Sequence, residues 1–408
     1  MKKLSKNFLW MASANLTCGL LNIAMYIYLA RKLGAGRFGK FSFVQALVFY
    51  LFNFIDLGLS TFGTREIAKD TSRLRQFVDQ IISLRLIIAF LLYAVFVLLT
   101  LVSKEIPEIK ALMLLTALWF FSYAAATEWA FQGLEKMQMV FISLVATVSL
   151  QFLAVLFLVN NDNYYYALPG VLVLATLPIA AIYLRILLFR PQFFNIDFKA
   201  LKIFFSSALV IWAISLFAQV YNGFDVVLMG ALRSPAETGY FTVARRFTGG
   251  LTFISIFLAN AALPRYANAL SRGKGQCKKI TLDFLKIVVS TALGLFVLII
   301  VFCREIILLT VGAEYLAAEG VLKILMVGVA LVFVNLPFST ALIAASREKA
   351  VLKQALSSAA LNVSLNLFLI PKWGMEGAAW SFVAAEVLAL TWVVGLYKRS
   401  LLTVMSSP

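Results

Sequence analysis

Twelve blocks of mostly apolar sequence follow one another along this chain, each about twenty residues long, the length a helix needs to cross a hydrocarbon core about 30 Å thick. They cover roughly 8–30, 39–62, 80–102, 109–132, 138–159, 167–189, 203–231, 239–262, 281–303, 320–345, 351–370 and 377–397. Lipid offers no water to a backbone, so only helices and closed barrels span it, and blocks of this length select helices. With 62% hydrophobic residues, 13% charged and a mean hydropathy of +0.92, the 408 residues could not hide their apolar surface in a water-soluble fold. The fold class expected is all-α: a polytopic membrane protein.

Composition also removes whole classes of chemistry. There is no histidine, which excludes Ser-His-Asp and Cys-His nucleophile systems, histidine-containing zinc sites and haem ligation by histidine. Cys18, Cys277 and Cys303 are far apart and form no CxxC pair, so they read as free thiols, with no metal and no cofactor implied.

The formal charge of +17 would suggest nucleic acid in a soluble chain, but here it sorts by membrane side. With the N-terminus inside, 24 Lys and Arg fall on the inner side and nine on the outer, and Arg245, Arg246 and Lys323 lie within spans. That asymmetry places the N- and C-termini in the cytoplasm and leaves no call for a nucleic-acid partner. The outer loop after the first block dissents, with Arg31, Lys32, Arg37 and Lys40. No segment between blocks is long enough for a folded domain, and the apolar stretch Glu305–Leu309 is expected to lie in the interface as a short helix.

The first and seventh blocks share a few residues at one offset, and the pattern of spans that follows each is the stronger sign of a repeat. Leu16, Asn22, Gly39, Phe41 and Arg65 recur as Leu216, Asn222, Gly239, Phe241 and Arg265, all at an offset of 200. Each half holds two long spans, a basic inner loop and four more spans. The expectation is twelve transmembrane helices in two six-helix bundles, 1–200 and 201–408, similarly oriented around a central cavity.

Gly34-Ala35-Gly36-Arg37-Phe38-Gly39 matches GxGxxG and, with Lys40, almost a phosphate-binding loop, but Phe41 stands where a magnesium-holding hydroxyl is required. It follows a span rather than a strand, so it reads as a turn whose glycines close one helix and open the next.

The ionisable groups inside spans carry more information, because a charge at membrane depth must face a cavity or a partner. Arg245 and Arg246 point about 100° apart on a helix, so at least one should turn inward; Gly249 and Gly250 follow one turn later. With Lys323 and Arg85 they are the candidate substrate-binding cations. Asp56, Asp225, Glu386 and Glu128 are the candidate ion-coupling carboxylates, Glu386 being the deepest. Arg85, Glu128 and Lys323 lie near span ends, where snorkelling is the plainer reading; for Asp56 and Asp225, pairing with a neighbouring cation and a functional role stand side by side. Trp119, Trp129, Trp212 and Trp380 lie in spans and could stack on sugars or simply pack.

Asn7 to Trp10, Tyr28 to Gly34, Gly39 to Ser42, Asp56-Leu57-Gly58 and Thr64-Arg65-Glu66 together resemble the bacterial polysaccharide (O-antigen repeat-unit) flippases of the multidrug/oligosaccharidyl-lipid/polysaccharide exporter superfamily. So do Asp225 to Gly230, Gly239 to Arg246, and Asn362 to Pro371 followed by Gly374 and Gly377. The resemblance covers nearly the whole chain. It implies a secondary transporter rather than an enzyme, resident in the bacterial inner membrane. Its cargo would be an undecaprenyl-diphosphate-linked oligosaccharide, moved by alternating access on an H+ or Na+ gradient, with other polysaccharide assembly proteins as further candidate partners. A multidrug/cation antiporter of the same fold is the alternative, as is a membrane-embedded polysaccharide polymerase or glycosyltransferase. The absence of a loop above about twenty residues speaks against the last.

Overall fold

In the computed structural model, which describes residues 2–159, 165–187, 198–270 and 273–403, there is no strand among the described residues. Arg190 and Arg272, two of the inner basic residues, lie outside them. The helices are α1 (Lys2–Asp56), α2 (Leu59–Lys69), α3 (Leu74–Val102), α4 (Pro107–Ala117), α5 (Trp119–Ala124), α6 (Glu128–Gly133) and α7 (Met137–Leu158). They continue with α8 (Leu168–Leu187), α9 (Phe198–Leu232), α10 (Pro235–Leu270), α11 (Lys274–Thr310), α12 (Ala318–Ala344) and α13 (Glu348–Thr403). The chain divides into two compact units. Unit 1 is Met1–Leu33 with Lys40–Gln219, and unit 2 is Gly34–Gly39 with Val220–Pro408.

Among the described residues nine helices are long and apolar enough to cross a membrane, or ten if the pair Ser215–Tyr221 and Gly223–Leu232, bent by 56°, counts as one span. The twelve blocks do not appear as twelve separate helices, because four of them fall pairwise within α1 and α13. Each of these folds back on itself. Tyr26 Oη donates to Gln45 Oε1 at 2.7 Å, although nineteen straight helical residues would part the two by about 28 Å. The reversal is at Gly34 (φ 71°, ψ 168°). In α13 a Cβ on Gly377 would lie 3.1 Å from the nitrogen of Ile370, which a straight helix would hold about 10 Å away. Here the turn is Gly374 (φ 55°, ψ −132°), a left-handed conformation that L side chains resist.

Both reversals are fixed by a carboxylate from another part of unit 2. A helix that restarts presents unpaired N–H groups and a positive dipole end. After Gly34 the Ala35 N–H donates to Glu314 Oε1 (2.8 Å), and after Gly374 the Met375 N–H donates to Glu237 Oε1 (2.9 Å). Arg233 Nε pairs with Glu237 Oε2 at 2.9 Å.

The Gly-rich segment is thus a helix reversal, as its sequence context implied, and Gly39 has a further task. A Cβ there would overlap the carbonyl of Pro235 and come within 2.8 Å of the Gly239 nitrogen. One on Gly239 would overlap the Ala35 carbonyl and lie 3.2 Å from the Ala35 Cα. Ala35 meets Gly239 and Gly39 meets Pro235, so two segments offset by 200 residues cross backbone to backbone in a locally symmetric way. Small residues at i and i+4 permit that approach.

In unit 2, α12 packs against α10, α11 and α13. The stretch Glu305–Leu309 lies in a short helical piece that follows a break in α11 at Phe302, with Ile307 fully buried. In unit 1, α2 packs on α6, α3 on α4 and α5, and α7 on α8. Leu59, Phe62, Ile67, Phe77, Ile81 and Trp129 form a core around α2.

Candidate functional site

Unit 2 gathers charge from three helices. Tyr221 and Asp225 are one turn apart on α9, and Phe382 and Glu386 are one turn apart on α13, so each pair shares a helix face. Tyr221 Oη donates to Glu386 Oε1. Arg245, from α10, pairs through Nε with Asp225 Oδ2 at 3.0 Å and lays its guanidinium over the Phe382 ring, 5.1 Å from the centroid. Asp225 Oδ1 also accepts the Val226 N–H at 2.8 Å. Asp225 and Glu386 are buried, while 16% of the Arg245 side chain is exposed. The Phe382 ring lies where a Cβ on Gly328 of α12 would be, so that glycine makes room for the platform under Arg245. Of these five side chains two are carboxylates and one is a cation. One carboxylate has the guanidinium; the other has a neutral hydroxyl.

Unit 1 holds a second cluster. Asp56 ends α1, and the chain turns through Leu57 (φ 46°) and Gly58 (φ 77°) into α2. This brings Ser60 back to Asp56 Oδ1, its N–H at 3.2 Å and its hydroxyl at 2.6 Å. Arg85 of α3 donates to Asp56 Oδ1, to Ser60 Oγ and to the Ala126 carbonyl, the last at 3.2 Å. Its guanidinium lies over the rings of Tyr123 and Trp129, at 5.8 and 5.9 Å. Tyr123 in turn stacks on Phe52, 4.3 Å between centroids. Arg85 is buried and does not snorkel; Asp56 keeps 19% of its side chain exposed.

Residues 4–270, well over half the chain, match the family described as Polysaccharide biosynthesis protein, and residues 211–368 match MatE. The chain belongs to the polysaccharide biosynthesis protein family. A protein named "Putative O-antigen transporter" from Escherichia coli (strain K12) is 22% identical over 286 residues, covering 67% of each chain. The fold is similar to that of "Lipid II flippase MurJ, inward closed conformation", with a TM-score of 0.76 and 14% identity over 97% of this chain and 89% of that one. It is also similar to an inward-facing multidrug resistance MATE family transporter of the MOP superfamily, with a TM-score of 0.71 and 14% identity over 96% of each. The family member described here is therefore an all-α, multi-pass membrane transporter of that superfamily.

Of the eight charged residues singled out in the sequence, Asp225, Arg245 and Glu386 meet in unit 2, and Asp56 and Arg85 meet in unit 1. Glu128 accepts from Ser143 Oγ at 2.8 Å, beside Trp129 but outside the ion pair. Lys323 pairs with Glu319 one turn away at 2.6 Å, with 38% of its side chain exposed. Arg246 is half-buried. Trp129 backs Arg85, Trp119 packs with Phe49 and Phe52, Trp212 lies against Phe54, and Trp380 is exposed. Sequence reading missed Tyr221 and Phe382, which look like ordinary apolar packing. The signal that finds them is their spacing, an aromatic residue four positions before Asp225 and before Glu386, on the same helix face.

Proposed function

We propose that this chain is a flippase that moves undecaprenyl-diphosphate-linked oligosaccharide repeat units across the bacterial inner membrane by alternating access, driven by a proton or sodium gradient. Counting each helical hairpin as two crossings and the bent pair as one gives twelve spans. An even number returns the C-terminus to the side of the N-terminus, and the excess of basic residues makes that side the cytoplasm. The name of the curated relative supports the glycan cargo.

The observation that carries the reading is Arg245 held between Asp225 and Phe382 at membrane depth. A guanidinium is permanently charged, and its planar fork suits phosphate oxygens as well as a carboxylate. An arriving diphosphate competes with Asp225 for Arg245. Asp225, left without its cation, then takes up a proton or a monovalent ion. Glu386, whose partner is the Tyr221 hydroxyl, is the second place where a cation or proton offsets charge. Asp56 and Arg85 form a comparable exchangeable pair in unit 1, with Asp56 as the reachable member.

The test is a deletion strain complemented with Arg245→Glu. Loss of surface polysaccharide and accumulation of lipid-linked units are expected, with normal protein in the membrane. Normal glycan display by this variant removes Arg245 from the mechanism.

A further inference from the structure

Four polar side chains follow one another along the first arm of α13 at intervals of one turn: Gln354, Ser358, Asn362 and Asn366, all buried. They bond within the row. Gln354 Nε2 donates to Ser358 Oγ at 3.1 Å, and Asn366 Nδ2 donates to Asn362 Oδ1 at 3.0 Å. The row still leaves an acceptor over, since Asn366 is fully buried and its Oδ1 has no hydrogen-bonding partner in the protein. An amide oxygen at hydrocarbon depth without a partner is costly, and such groups are satisfied by buried water where the surroundings are polar.

The hairpin sets the depth of this row. Asn362 is twelve residues before Gly374 and Glu386 twelve after, so both lie about 18 Å from the turn. Asn366 is nearer the turn, about 12 Å from it, and Gln354 is about 30 Å away. The far end runs into Arg347, Glu348, Lys349 and Lys353, a charged segment suited to water. The row therefore runs from the aqueous start of α13 to the depth of Glu386.

We propose that Gln354, Ser358, Asn362 and Asn366 line a hydrated track along α13 that carries water, and with it protons, from the start of that helix to the depth of Glu386. Water is the ligand, held by amide and hydroxyl groups that both donate and accept. The use of the track in coupling rests on the transport reading above; its hydration does not.

The test is labelling of single cysteines by charged 2-aminoethyl methanethiosulfonate in membrane vesicles, with Cys18, Cys277 and Cys303 replaced by serine. The near-isosteric Ser358→Cys should react at least tenfold faster than Phe368→Cys, which sits on the same arm but is 69% exposed on the apolar surface. Asn362→Cys should follow Ser358→Cys. Equal or slower reaction at 358 and 362 than at 368 overturns the track, whether or not the protein exports glycan. A second variant, Asn366→Leu, should keep the fast labelling at 358 and reduce glycan export at least tenfold. Fast labelling with unchanged export leaves the water in place and refutes its part in coupling.

Discussion

Replacing Asp56 by Asn should destabilise the protein more than replacing Arg85 by Met, although each breaks the same ion pair. The asymmetry comes from burial: 2% of the Arg85 side chain is exposed against 19% of Asp56. Without the Asp56 charge, the guanidinium stays enclosed by Tyr123, Trp129, Ser60 and the Ala126 carbonyl and has lost its ion-pair partner. Stranding one member of a buried pair costs about 3–5 kcal/mol. Removing Arg85 instead leaves a carboxylate with a route to solvent and both donors of Ser60 still in place. The Ala126 carbonyl keeps the Trp129 indole N–H at 3.1 Å. That loss should be nearer 1–3 kcal/mol, the cost of an imperfectly satisfied polar site. Combining the two should recover much of the Asp56→Asn loss, because the double variant buries no net charge. Thermal unfolding of the four proteins in detergent, followed by tryptophan fluorescence, reads the order and the coupling. Equal losses for the single variants, or losses that simply add in the double, would refute the burial argument.

Three further outcomes follow from the helix reversals. Gly39→Ala should abolish the folded protein, since its Cβ would overlap the Pro235 carbonyl, whereas Gly36→Ala, with nothing within 4 Å and a helical backbone, should gain up to about 1 kcal/mol. Membrane yield and melting temperature of the pair distinguish them. Glu237→Ala should cost about 1 kcal/mol by uncapping Met375, and Glu237→Gln, which keeps an acceptor, less; amide exchange at Met375 should rise in the first only. Glu314→Ala should do the same at Ala35 and leave Met375 unchanged.

The apolar blocks revealed the helices because length against bilayer thickness is a one-dimensional property that sequence carries directly. The joins were harder to read. Residues around Gly34 and Gly374 look like short loops, yet helix continues on both sides of a single glycine, with a carboxylate from Glu314 or Glu237 taking the first N–H of the restart. Those partners are 279 and 138 residues away, and no local pattern announces them. The ion pairs were half legible. Each member stood out as a charge inside a span, but the pairing of Asp56 with Arg85 depends on the left-handed turn at Leu57 and Gly58, which brings Ser60 back to the carboxylate.

The offset of 200 shows where the halves part company. In unit 1 the helices on either side of Gly34 are joined by Tyr26 and Gln45, a buried neutral bond. At that offset Gln45 corresponds to Arg245, and Tyr26 to Val226, the residue after Asp225. Gln45 makes a neutral hydrogen bond, whereas Arg245, 200 residues on, makes an ion pair with the residue before Val226. Unit 1 places its own ion pair elsewhere, between the end of α1 and α3. A neutral bond between span helices can be satisfied at any pH and holds one geometry. An ion pair at that depth is stable only while both charges find each other, so a competing anion or cation can switch it. Gln45 and Arg245 thus contrast a neutral tie with a charged one. Under the proposed function, the Arg245–Asp225 pair is the one expected to respond to cargo.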